Sequence, residues 1–166
     1  MGVRTRVSIT RDKGVWQSMK ANLRRGTSQS TQVGWWDSQY PDGTSVAQVA
    51  QWNEEGHMNG GWFPGTITPP RPFIRLGFLP DIRKSNLIGR YSIHIDSIAR
   101  GKMSWNRLHE LLGEDLKRML QEQILDWKSP SNSAATVSIK GFNDPLIDTG
   151  LMYDTIKIRT APRRRK

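Results

Sequence analysis

The sequence predicts a small α+β domain: a small mixed or antiparallel sheet with helices packed on one face, one long amphipathic helix, extended loops and terminal arms. Three observations predict it. Apolar residues make up 36% of 166 residues, enough for one core and too many for a disordered chain. Several segments repeat apolar residues at three- and four-residue steps. The candidate strands fall between them without the regular rhythm of parallel βαβ units. No internal repeat is present. The expected organisation is an N-terminal arm or edge strand over 1–14, a single domain over 15–160 and a basic tail over 161–166.

In chain order, residues 1–13 alternate weakly, as an arm or strand would. Val15, Met19 and Leu23 lie four apart and predict a short helix that Gly26 ends. TSQSTQ (27–32) has the polarity of a linker. VGWWDSQY (33–40) has the Val, Trp and Tyr content of a strand, and the Asp-Gly of PDGTS (41–45) a turn. Thr44 or Ser45 can then cap a helix through VAQVAQWNEE, stopped by Gly56.

HMNGGWFPGTITPP (57–70) is too broken by Gly and Pro for a regular element and predicts a long loop. RPFIRLGF (71–78) is the next strand candidate, with Pro72 at its start or on an edge. Leu87, Ile88, Tyr91, Ile95 and Ile98 form one stripe of a helix over 85–99. Gly101 breaks it and Ser104 can cap the next. From Trp105 to Trp127, Leu108, Leu112, Leu116, Met119, Leu120 and Ile124 mark the longest helix, about 35 Å at 1.5 Å per residue. A second loop is expected over 129–144. In PLIDTGLMYDTIKIR (145–159), Asp148 or Thr149 is expected to cap a short helical turn that Gly150 starts. Leu151 and Met152 should face the core, and Thr155 to Arg159 should form the closing strand.

The net charge is +10 and very unevenly distributed. No Lys or Arg lies between Arg25 and Arg71, where Asp37, Asp42, Glu54 and Glu55 give −4, so the remainder carries +14. Such polarity serves either nucleic acid or head-to-tail contact between unlike faces of neighbouring subunits. The chain has no Cys, which excludes disulfides and thiolate metal sites. It has no 18-residue apolar run to span a membrane, and its start lacks the apolar block of a signal peptide.

Catalytic patterns are missing. HELLG (109–113) opens like a zinc-protease helix, but Gly113 stands where the second His belongs, so His109 and Glu110 are expected as a surface pair. No phosphate-binding glycine motif occurs, and GGWFPG lacks the Lys and following helix of a phosphate cradle. Asp96, Asp115 and Lys117 imitate a metal-nuclease spacing, yet Asp115 and Lys117 lie about 200° apart around a helix. No catalytic residue, cofactor or metal is expected.

Two segments carry a resemblance. VAQVAQWNEEGHMNGGWFPGTITPPRPFIRLGF (46–78) and GFNDPLIDTGLMYDTIKIR (141–159) together resemble the tail-completion, or neck, proteins of tailed bacteriophages, also described as virion-morphogenesis or minor tail proteins. That family shows a helix ending in Asn-Glu-aromatic-Gly, a loop, Pro-x-Arg-Pro-Phe-Leu-Arg, and later Pro-Leu-x-Asp-Thr-Gly before a strand. The matching positions are Asn53, Glu54, Gly56, Pro70, Arg71, Pro72, Phe73 and Arg75, then Pro145, Leu146, Asp148, Thr149, Gly150 and Leu151. The match covers residues 33 to 160. Glu55 departs from the aromatic, Arg71 follows Pro-Pro rather than Ala, and the intervening loop is longer, with Trp62 and Phe63.

The resemblance implies a non-enzymatic virion component, assembled in the host cytoplasm, that joins the finished tail to the head as a ring of six subunits around the DNA channel. Its partners would be copies of itself, a tail-tube or tail-terminator protein and a head-closure or connector protein, with contact to packaged DNA. In this reading Asn53 and Glu54 end a helix where the chain turns, Arg71 pairs with Glu54, and Trp62, Phe63, Arg163, Arg164 and Arg165 are interface candidates. The alternative is a nucleic-acid-binding module that uses the basic termini.

Overall fold

The computed structural model describes residues 13–26, 29–58 and 64–162. The N-terminal arm, Trp62 and Phe63 at the loop tip, and Arg163, Arg164 and Arg165 lie outside the described residues. The architecture is a small α+β fold. In order it contains helix α1 (Lys13–Gly26), strand β1 (Gln29–Gly34), α2 (Val46–Glu55), β2 (His57–Met58) and β3 (Ile67–Thr68). A π-helix (Phe73–Phe78) follows, then α3 (Leu79–Lys84), α4 (Leu87–Ala99), α5 (Trp105–Asp126), α6 (Ala134–Lys140), α7 (Leu151–Asp154) and β4 (Lys157–Pro162).

The long helix α5 organises the rest. Ser104 caps it as expected, its hydroxyl accepting from the Arg107 amide at 3.2 Å. Its apolar stripe reaches the core through Met119, Leu120 and Ile124, which pack with Val46 and Ala50 of α2, Phe73 and Phe78 of the π-helix, and Leu146, Met152 and Ile156. Beside α5 lies the antiparallel ribbon β1–β4, registered from Gln29 opposite Pro162 to Gly34 opposite Lys157. Gly113 allows this approach: a Cβ there would sit 2.3 Å from Cγ2 of Ile158. Strands β2 and β3 form a second ribbon, with His57 opposite Thr68 and Met58 opposite Ile67.

Several expectations are corrected. The strand expected at 33–40 is Gln29–Gly34, so it begins inside the segment expected as a linker. One edge ribbon, half open to water, tolerates Gln, Ser and Thr where a core strand would not. Beyond Gly34 the chain leaves the ladder, and Trp35 Nε1 donates to the Met152 carbonyl at 2.7 Å. The strand expected at 71–78 is the π-helix instead. Its first amides find the Glu54 carboxylate, and Phe73, Gly77 and Phe78 turn inward, a burial that a two-residue alternation would not provide.

Helix α4 starts at Leu87 rather than Ser85, because Asn86 adopts the left-handed region (φ 48°) and its side chain accepts from the Gly89 amide. Ile88, expected on the buried stripe, is 89% exposed. The second loop contains α6, whose Ser133 cap accepts from the Thr136 amide and whose Gly141 closes it at φ 78°. Gly26 ends α1 as expected. It is buried against the Trp105 ring, which a Cβ there would overlap.

The segment 57–70, expected as a loop without regular elements, carries the short strands β2 and β3, which backbone pairing rather than composition decides. Other expectations match. Gly43 has φ 84° in the 41–45 turn, and Gly56 closes α2 at φ 76°. Ser45 holds the N-cap position of α2, although its side chain makes no capping bond. Met152 is buried and β4 closes the domain, running on through Pro162 into the expected tail. Among the described residues, no helix is long and apolar enough to cross a membrane.

Candidate functional site

The two motif segments are about seventy residues apart in sequence and meet at one side chain. Arg71 leaves the β3 side of the chain just ahead of the π-helix and is only 6% exposed. Its backbone amide donates to the Asn53 carbonyl at 2.6 Å, which ties it to the last turn of α2. Its guanidinium then reaches four oxygens. Nη1 donates to Asn53 Oδ1 at 3.3 Å and to the Pro145 carbonyl at 3.1 Å. Nη2 donates to Asn132 Oδ1 at 3.0 Å, and Nε to the Pro130 carbonyl at 3.2 Å. One planar fork therefore fixes α2, the 130–132 turn and the start of the 145–150 motif relative to one another.

The partners of this fork are held in turn. Asn53 donates its own amide to the Val49 carbonyl at 2.9 Å, which orients Oδ1 toward Arg71. The backbone amide of Asn132 donates to Asn143 Oδ1 at 3.0 Å. Every acceptor around Arg71 is a neutral oxygen. Burial accordingly lowers the Arg71 pKa, with no carboxylate acting against it.

Glu54, expected to pair with Arg71, does something else. Its two carboxylate oxygens accept from the amides of Ile74 (2.9 Å) and Arg75 (3.0 Å), the first turn of the π-helix. A carboxylate there meets otherwise unbonded donors and the positive end of the helix dipole, so it is better used on the backbone than on Arg71. Gly56 lies where a Cβ would come within 2.9 Å of Pro70 N and of Thr68 O, so only glycine lets the strand return so closely. Pro72 precedes the π-helix, Phe73 is fully buried, and Pro70 and the Arg75 side chain face solvent.

In the second motif, Pro145 and Leu146 are buried while Asp148 and Thr149 are exposed. The expected cap is corrected here: Gly150, at φ 80°, occupies the position before α7. Thr149 Oγ1 accepts from the Leu151 amide at 3.3 Å, a local turn bond, and Asp148 makes no capping bond. A short glycine-led turn leaves the acidic side chain pointing away from the helix start. Asp148 instead lies near Tyr40, whose pKa is raised first by burial and then by Asp148 and Asp42.

Sequence reasoning did not single out Asn132 or Lys140. Lys140 Nζ donates to the carbonyls of Asp144 (2.9 Å) and Ile147 and lies over the Phe142 ring. It braces the loop that delivers Pro145. The signal available was the Ser133…Gly141 cap pair around an apolar-spaced segment, which marks α6 and thus the turn before it.

The other candidates do not converge on chemistry. His109 is corrected from a surface residue to a buried one, 7% exposed. Its Nδ1 lies 2.8 Å from Thr31 Oγ1 on β1, its ring lies near Trp105, and burial lowers its pKa. Glu110 pairs with Arg107 rather than with a metal. Asp115 is held by Arg90, Tyr91 (3.0 Å) and Arg118 (3.3 Å), and Asp96 by Arg100. Burial and the bond to Asp115 push the Tyr91 hydroxyl up to about 12. Among the described residues no group of three or more His, Asp or Glu is placed to hold a metal ion. A cleft of about 470 Å³ opens between α1 and the start of α5, walled in part by Asn22, Lys102 and Trp105, and no motif residue reaches it. No protein-family model, no curated protein and no solved structure matches this chain.

Proposed function

We propose that this chain is a structural subunit of a tailed-phage virion that completes the tail and joins it to the head connector as an oligomeric ring. The observation that supports this reading best is how the motif residues are used. Asn53, Glu54 and Arg71 commit their polar atoms to backbone and side-chain partners that join α2, the π-helix and the 145–150 segment. Such a constellation stiffens a building block.

The surface is compatible with assembly. Met58 and Ile67, paired across the β2–β3 ribbon, are each 72% exposed. The segregation of acidic and basic segments suits contact between unlike faces of successive subunits, the geometry that closes a ring. The alternative, nucleic-acid binding through the basic termini, rests on residues outside the described ones.

The test is genetic. In a tailed phage that encodes this chain, its deletion should leave DNA-filled heads and finished tails that fail to join. Joined, infectious particles at normal yield would sink the proposal. Salt-sensitive DNA binding lost on removal of residues 161–166 would favour the alternative.

A further inference from the structure

Arg71 combines two properties that rarely coexist: it is almost fully buried, and among the described residues no carboxylate pairs with it. Its hydrogen bonds use Nε, both Nη1 hydrogens and one on Nη2, all to neutral oxygens, which leaves one Nη2 hydrogen with no partner among the described residues. Lys140 adds a second positive charge close enough that Arg71 contributes, after burial, to lowering its pKa. The acids of this region are otherwise placed. Asp144 pairs with Lys128, and Asp148 acts on Lys140 and Tyr40 rather than on Arg71.

Arg71 is also part of the wall of an open cleft of about 270 Å³ between β3 and the start of α6. The lining also includes the hydroxyl-bearing Ser131, Ser133 and Thr136, together with the 66–69 segment. Ser133 and Thr136 hydroxyls lie 2.9 Å apart, so each has a donor or acceptor position fixed by the other. The volume is ample for a tetrahedral or carboxylate group, and hydroxyl donors backed by an uncompensated guanidinium are the chemistry that recognises one.

We propose that this cleft binds a compact oxyanion, a carboxylate or a phosphate group, which supplies the negative charge that Arg71 lacks. The inference is independent of the virion reading, since it rests on charge balance within one subunit.

The test is thermal unfolding of the full chain at constant ionic strength, with chloride exchanged for acetate or for inorganic phosphate. A saturable rise in Tm of about 2–4 °C is expected with at least one of them. A rise with both identifies carboxylate chemistry as sufficient, and a rise with phosphate alone identifies a phosphate site. Ser131→Asp places a carboxylate beside the cleft at an exposed position and should raise Tm in chloride while abolishing the anion effect. Thr136→Asp provides the same test from a second lining position should the first variant fold poorly, and Ser131→Asn, which adds no charge, should not raise Tm in chloride. The proposal is overturned if neither anion gives a saturable shift, or if the shift persists undiminished in the aspartate variants.

Discussion

Arg71 is the residue on which most of the motif depends. Replacing it with Ala would leave Asn53 Oδ1, Asn132 Oδ1 and two carbonyls without their donor, at a cost of about 3 kcal/mol. Arg71→Lys should recover little of this, because an ammonium has no planar fork to span four oxygens. Urea unfolding would read both values, and a loss below about 1 kcal/mol in Arg71→Ala would contradict the clip.

His109 makes a second prediction, in pH. Burial depresses its folded-state pKa, so below the unfolded value of about 6.5 the unfolded chain takes up the proton first. Stability should therefore be complete above that pH and decline as pH falls toward the folded value. His109→Gln, which keeps a partner for Thr31, should remove this decline below the unfolded value in urea titrations.

At the scale of elements, close approach matters more than propensity. Gly113 sits mid-helix in α5, where Ala would ordinarily gain about 1 kcal/mol of helix propensity. Here its Cβ would meet Ile158, so Gly113→Ala should instead destabilise by about 1–3 kcal/mol. Pairing it with Ile158→Ala, which vacates the contact, should recover part of the loss in a double-mutant cycle, and simple additivity would argue against the contact.

The same contrast explains what was legible in the sequence. Helix α5 was legible because a continuous stripe and a serine cap agree with each other. The π-helix was not: RPFIRLGF has strand-like content, and its first turn is held by Glu54, 20 and 21 residues upstream of the amides it accepts from. β1 was missed because its polar residues become a strand only by pairing with β4, more than a hundred residues away. The motif positions were legible as a set, while the pairing of Arg71 with neutral oxygens rather than Glu54 was not, since several acceptors competed for it.

For the whole molecule, one α+β core carries two kinds of outward feature. The β2–β3 ribbon exposes Met58 and Ile67, and acidic and basic stretches are kept apart in the sequence. These are the features that the proposed role, a subunit of a ring, would use. In-vitro joining tests that role most directly. Unjoined heads and tails, taken from a phage lacking the protein, are mixed with the purified chain and infectious particles are counted. The account predicts that infectivity returns in proportion to added protein until saturation. Heads and tails that stay unjoined at every concentration, or that join equally well without it, would contradict the account.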